Sequence, residues 1–280
     1  MLVTLKEVLA DAQKKHYAVG LFNTVNQEML RAVIAAAEQE KSPVIIGTAE
    51  VLLPYGPLEL IAGSLIEQAK KASVPVVIHF DHGLSYEATV QALHLGFSSV
   101  MFDGSTYSYD ENIARTQEIV KLAHTLGASV EAELGHVGVT EDSTEAGCED
   151  LYTNPQEALN FVEKTNVDAL AIAIGTAHGK YLVKPKLDIN RLKLIRSTVD
   201  TPLVLHGGSG LSDDDFRNCI HEGIAKVNIF TDLTLAALST MKAALLEENM
   251  SYVELINKTV DGIKEETVKK MRLFGSNGHA

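Results

Sequence analysis

The chain is short of basic residues, of cysteine and of long apolar runs. Lys and Arg number 24 against 37 Asp and Glu, a formal net charge of -13. That balance argues against a general nucleic-acid surface. It leaves room for a small phosphorylated ligand, because backbone amides and a metal ion supply positive potential locally. Cys148 and Cys219 are the only cysteines, which rules out a disulfide framework. No window approaches 18 uninterrupted apolar residues, so no membrane span is expected. The opening Met1-Leu2-Val3-Thr4-Leu5-Lys6-Glu7 lacks the zones of a secretory signal, and the expected location is cytoplasmic. Neither a Walker A lysine motif nor a Rossmann glycine fingerprint occurs in its proper context. Trp is also missing, and that absence excludes nothing.

What is present is an ordinary globular mixture, 46% hydrophobic and 22% charged over 280 residues, with a regular alternation of elements. Short, continuously apolar segments at 18–22, 43–47, 74–79, 98–102, 129–133, 168–174, 202–205 and 225–230 read as strands covered on both faces. Helical spacing marks 5–15, 27–40, 58–71, 86–95, 112–126, 155–164, 189–197, 213–222, 233–248 and 252–273. The segment 134–154 has no convincing period, and a connection of that length is usually functional or disordered. No linker divides the chain. Eight such units close most simply into one α/β domain over 1–280, a (β/α)8 TIM barrel, with a doubly wound open sheet as the runner-up.

The unusual polar residues sit just after strands, where such a barrel carries its active site. The third strand runs into His79-Phe80-Asp81-His82-Gly83, the sixth into Gly175-Thr176-Ala177-His178-Gly179, and the seventh into His206-Gly207-Gly208-Ser209-Gly210. A lone buried histidine is more often a satisfied core residue than a ligand. Three at strand ends beside small residues point to one centre, with His82, His178 and His206 around Zn²⁺. His79 reads as support for that centre through its ring N–H. Asp81 reads as an acid/base carboxylate, or as a cap for the next helix. Glu131 and Glu133 share the inward face of the fifth strand, and either is a further ligand candidate, as is Asp103. Glu141 and Asp142, in the long segment, read as solvent-facing charges on their own. Ser209, Asn228 and Thr231 suit phosphate hydrogen bonding, or plain turn capping.

Together these motifs resemble the class II, metal-dependent ketose-bisphosphate aldolases, the group of fructose- and tagatose-bisphosphate aldolases. The resemblance spans essentially the whole chain and runs through Phe22-Asn23, Asp81-His82-Gly83, Asp103-Gly104-Ser105, Glu131-Ala132-Glu133-Leu134-Gly135, the two glycine-histidine segments, Lys226-Val227-Asn228-Ile229 and Lys270-Met271-Arg272-Leu273-Phe274-Gly275-Ser276. It implies a divalent metal on His82, His178 and His206, joined by Glu133 in a buried position, with Asp103 at a second or alternate site. It implies that Asp81 moves the proton of the C4 oxygen, and that Glu141 works at C3 of dihydroxyacetone phosphate. It assigns the C1 phosphate to Gly179, Gly207, Gly208, Ser209, Asn228 and Thr231. It places Na⁺ or K⁺ against Ala177, Gly179, Gly207 and Ser209, and turns Asn23 toward a small phosphorylated sugar. A homodimer or homotetramer is implied, with neither nucleic acid nor membrane as partner.

Three positions depart from the fructose-bisphosphate pattern. Ala49 stands where a C6-phosphate serine is usual, Val260 where an arginine is usual, and Phe230 where an aspartate is usual. These changes suggest an aldolase for ketose 1-phosphates that releases an unphosphorylated aldehyde. Arg272 or Lys184 would be the rival cation restoring bisphosphate specificity. From the residues alone, a metal-dependent sugar-phosphate epimerase or isomerase is the alternative chemistry, and a non-catalytic phosphate-binding barrel is the bland one.

Overall fold

The computed structural model describes residues 1–138, 151–179 and 185–280. Eight parallel strands close into a barrel in sequence order: β1 (Val19–Asn23), β2 (Val44–Ala49), β3 (Val76–Gly83), β4 (Ser99–Phe102), β5 (Ser129–Leu134), β6 (Ala169–Ile172), β7 (Leu203–Leu205) and β8 (Ile224–Ile229). Pairing of Val19 with Lys226, through to Phe22 with Ile229, completes the ring. The helices are α1 (Leu5–Lys15), α2 (Gln27–Glu40), α3 (Leu58–Lys71), α4 (Tyr86–Leu95), α5 (Tyr109–Thr125), α6 (Pro155–Thr165), α7 (Ile189–Thr198), α8 (Asp213–His221), α9 (Thr231–Ala244) and α10 (Tyr252–Phe274). The architecture is the (β/α)8 TIM barrel, not the open sheet.

Local chemistry explains most helix boundaries. Thr4 with Glu7, Ser212 with Asp215 and Ser251 with Glu254 form capping boxes that satisfy amide donors otherwise left without partners. Asn154 caps α6, with Pro155 in its first turn. Gly96 ends α4 in the left-handed conformation.

Two layers of core follow from strand parity. Outward residues such as Phe22, Ile46, Ile78, Val100 and Ala132 pack under the helices. Inward residues Val19, Leu21, Ile45, Val77, Met101, Ala169, Ala171 and Val204 pack against Leu5, Val8, Leu9 and Ala12 of α1, which plugs the N-terminal end. One step of two residues further up the strands, the inward stripe turns polar. Leu21 gives way to Asn23, Val77 to His79 and Asp81, Met101 to Asp103, and Val204 to His206. The apolar lower layer thus supports a polar upper layer at the open, C-terminal mouth.

Several expected boundaries shift. β3 does not stop at His79 but continues to Gly83, with its register against β4 broken between Phe80 and Gly83. β6 ends at Ile172 rather than at 174, and α5 starts at Tyr109, capped by Ser108, three residues before the apolar period begins. α9 starts at Thr231, so Phe230 is its N-cap rather than a strand residue, and it ends at Ala244.

Candidate active site

The β3 irregularity decides the geometry of the mouth. Consecutive strand residues normally face opposite sides of a sheet. His82 adopts φ 42°, in the left-handed region, inside an otherwise extended strand. That kink lets Asp81 and His82, chain neighbours, both line one cavity of about 530 Å³. Gly83 follows because a Cβ there would strike the Thr89 hydroxyl and lie 2.7 Å from the Met101 carbonyl oxygen.

His82, His178 and His206 converge, with ring centroids 4.5 to 5.8 Å apart and planes nearly perpendicular. One ligating atom from each lies within 4.8 Å of the others, and the same holds for His82, Asp103 and Glu133. Carboxylates orient two of the rings. His82 Nδ1 lies 2.8 Å from Asp103 Oδ2, and His206 Nε2 lies 2.8 Å from Glu131 Oε1. This leaves His82 Nε2 and His206 Nδ1 facing each other at 2.7 Å. Burial, then the neighbouring His82, pulls His178 down to about 3, and the same two causes lower His206. Burial opposes a charge on His82, but Asp81 and the bond to Asp103 outweigh it and raise the ring to about 9. His178 and His206 therefore offer imidazole lone pairs, and the His82 ring joins them only by shedding its proton to a bound cation.

Glu133 takes Val137 N–H at 2.9 Å on one oxygen, while its buried Oε2 has no hydrogen-bond partner among the described residues. Burial, then the Asp103 charge, pushes it up to about 8. A buried carboxylate oxygen without a donor and converging imidazoles, two of them carboxylate-backed, form a donor set that fits a divalent transition metal such as Zn²⁺. The residues expected around the metal are thus brought together. Asp103 also braces His82.

Asp81 is fixed from two sides, by Asn23 Nδ2 at 2.8 Å and Asn228 Nδ2 at 3.0 Å. Burial would raise its pKa, but its interactions with His82, then His206 and Lys226, outweigh burial and hold it well below the usual carboxylate range. The carboxylate is therefore held in the ionised form that a base requires. Gly179, Gly207, Gly208, Ser209, Asn228 and Thr231 line the same cavity. Gly207 has φ 66°, and a Cβ on it would collide with the Ala177 carbonyl, so the two glycine-bearing loops meet here. Phe230 N and Asp232 N, at the start of α9, each lie 3.4 Å from Ser209 Oγ. A helix start beside a glycine-rich turn suits an anion.

Three sequence readings need correction. Glu131 is not placed as a free ligand candidate. Its Oε1 pairs with His206, and its Oε2 lies 2.7 Å from Lys226 Nζ, all fully buried. His79 bonds Ser99 Oγ at 2.8 Å through Nδ1 rather than a metal-bound ring, and its Nε2 lies 3.9 Å from both Asp81 and Glu131. Arg272 is ion-paired with Glu40 at 2.8 Å and is absent from the cavity wall, so it is no rival phosphate clamp. Lys226 is the residue that sequence reasoning passed over. Its signal was its place two residues before Asn228, on the same inward stripe. Glu141, Asp142 and Lys184 lie outside the described residues.

The comparisons with known proteins agree with this geometry. The family model "Fructose-bisphosphate aldolase class-II" matches residues 3–279. The crystal structure of the YdjI aldolase from Escherichia coli K12 superposes with a TM-score of 0.90 at 40% identity, covering 100% of both chains. A probable fructose-bisphosphate aldolase of Bacillus subtilis is 40% identical over 100% of this chain and 99% of its own. A 6-phospho-5-dehydro-2-deoxy-D-gluconate aldolase of the same organism is 43% identical, over 99% and 97%. Relatives of this length are named for different sugars, and they support aldol chemistry in general rather than one substrate. The chain is an enzyme of the class II fructose-bisphosphate aldolase family.

Proposed function

We propose that the chain, a single barrel domain over 1–280, catalyses the reversible aldol cleavage of a phosphorylated ketose to dihydroxyacetone phosphate and an aldehyde. The observation that carries this reading is the ionised Asp81 carboxylate directly beside the histidine trio, in one cavity with a glycine-rich anion bed. In cleavage, Asp81 accepts the proton of the C4 hydroxyl. The C3–C4 bond breaks, C4 becomes the aldehyde carbon, and negative charge passes to the C2 oxygen. Zn²⁺ or another divalent ion held by His82, His178 and His206, with Glu133 and Asp103 as alternate ligands, would neutralise that charge when bound. Asn23 and Asn228 hold Asp81 in register, and their own Oδ1 atoms, unpartnered among the described residues, are left to meet substrate hydroxyls.

The C1 phosphate would rest on Gly179, Gly207, Gly208, Ser209, Asn228 and Thr231. A Na⁺ or K⁺ beside it would touch Ala177, Gly179, Gly207 and Ser209. Glu141 is the proposed proton donor to C3, which completes the three-carbon product. The proposal extends to a cytoplasmic homodimer or homotetramer. No described helix is long and apolar enough to cross a membrane.

The test is product analysis with the Zn²⁺-loaded protein and a panel of phosphorylated ketoses, with and without chelator. Metal-dependent appearance of dihydroxyacetone phosphate is expected. A conserved carbon skeleton would instead identify an epimerase or isomerase, which passes through the same kind of charge on C2.

A further inference from the structure

Residues 135–138, which follow β5, are tied to the histidine centre in three ways. Val137 N–H donates to Glu133, and the Gly138 carbonyl accepts His178 N–H at 2.8 Å. The third tie runs through a side chain. His136 Nδ1 lies 3.0 Å from Ser105 Oγ, a residue 31 positions earlier that follows β4. Ser105 Oγ donates to Asp103 Oδ1 at 2.7 Å, and Ser105 N–H reaches the same oxygen at 3.1 Å. The other Asp103 oxygen meets His82 Nδ1.

The direction of this line of hydrogen bonds follows from counting hydrogens. A serine hydroxyl has one, and Asp103 takes it. Toward His136 the Ser105 oxygen is therefore an acceptor, and His136 Nδ1 is the donor. An ionised Asp103 accepts at both of its oxygens, so His82 Nδ1 donates too and Nε2 is the nitrogen turned to a cation. Hydrogen bonds in series polarise one another, so a donor at His136 strengthens the hold on His82. A turn that merely ended β4 would need no more than Ser105 over Asp103. The His136 ring, brought from the end of another strand to that serine, has no part in such a turn.

Two possible ligand groups share His82, one with His178 and His206, the other with Asp103 and Glu133. Asp103 can serve the second group only by giving up a hydrogen bond to Ser105 or to His82. His136 is not among the residues that line the cavity, so any effect it has on the cation passes through others. We propose that His136 is a positioning residue: through Ser105 it holds Asp103 as the brace of His82, and so directs a divalent cation to the three histidines. This rests on the metal-dependent aldolase reading and adds a role for a residue outside the cavity wall.

The test uses full-length protein with Zn²⁺ or Co²⁺ alone and no substrate. The Kd for Zn²⁺ is measured by chelator competition, and the ligand set by the visible absorption of the Co²⁺ form. His136→Leu keeps bulk and removes the donor. It should weaken Zn²⁺ binding about tenfold and change the Co²⁺ spectrum. His136→Asn returns an N–H close to the place of Nδ1 and should restore both. Ser105→Ala should reproduce the leucine variant, and combining the two should add nothing further. Wild-type affinity and spectrum in His136→Leu overturn the inference. An asparagine variant as weak as the leucine one also overturns it, because the donor is then not the cause. If His136→Leu fails to fold, wild-type affinity and spectrum in Ser105→Ala overturn it alone. Wild-type protein that takes up neither ion overturns the metal centre itself, and with it the aldolase reading.

Discussion

Lys226 and Glu131 show how much a single buried pair can govern. Both are fully buried at 2.7 Å, and Glu131 also orients His206. Lys226→Met would strand a carboxylate beneath the histidine trio, which is expected to cost about 3–5 kcal/mol in urea unfolding. Burial alone would raise Glu131, but Lys226 and His206 bring it down to about 2 from an ordinary 4.5. The pair's contribution is therefore complete above pH 4.5 and is lost as pH falls toward 2. A Glu131→Gln variant should show a flatter acid limb across that window in a stability–pH profile. Asp81→Asn tests the chemistry instead. It should lower kcat roughly 10²–10⁴-fold while metal content, measured by elemental analysis, stays intact. Asp81 and the three histidines were legible in the sequence because polar residues after apolar strands have no packing reason to be there. Lys226 was not, because a long side chain inside an apolar strand resembles a snorkelling surface lysine until the opposing Glu131 is seen.

At the level of elements, the strand ends do the positioning. Asn23 on β1 faces Gly47 on β2, and a Cβ at Gly47 would lie 2.7 Å from Asn23 Oδ1 and 3.2 Å from a Leu21 methyl. Gly47→Ala should therefore push the Asn23 amide off Asp81. The expected effect is a stability loss of about 1–3 kcal/mol with kcat reduced on the order of 10²-fold from misplacement of the carboxylate. A variant with wild-type turnover would show that Asn23 does not set the position of Asp81. The element boundaries that sequence misplaced share one cause. Hydrophobic period reports where packing is, whereas β3 extends through His82 and α9 begins at Thr231 because functional groups there need backbone support. The N-caps Ser85 and Ser108 were missed for a related reason, since a serine signals a helix start only when the next turn is known to be helical.

For the whole molecule, closure in sequence order brings β3, β6 and β7 together at one mouth, so a metal held there ties three separated segments. Binding to the folded state alone should stabilise the barrel by about 2.7 kcal/mol at a free-metal concentration of 100 Kd. Chelation should then lower Tm by roughly 5–10 °C, read by differential scanning calorimetry on the same sample before and after dialysis against chelator. An unchanged Tm would mean the metal is not bound through these three loops. The barrel itself was legible because eight apolar strands in alternation with helices leave few other closures. The kink at His82 also bears on how such enzymes diverge. The acid/base carboxylate and a metal ligand are adjacent in the chain, so any exchange of gene segments moves them as one unit. The apolar part of the cavity wall comes from Ala49, Val51, Leu52 and Leu84, two short patches on either side of that unit. Swapping those patches for their counterparts in a relative should transplant taste for a sugar while the bond-breaking machinery is passed on whole.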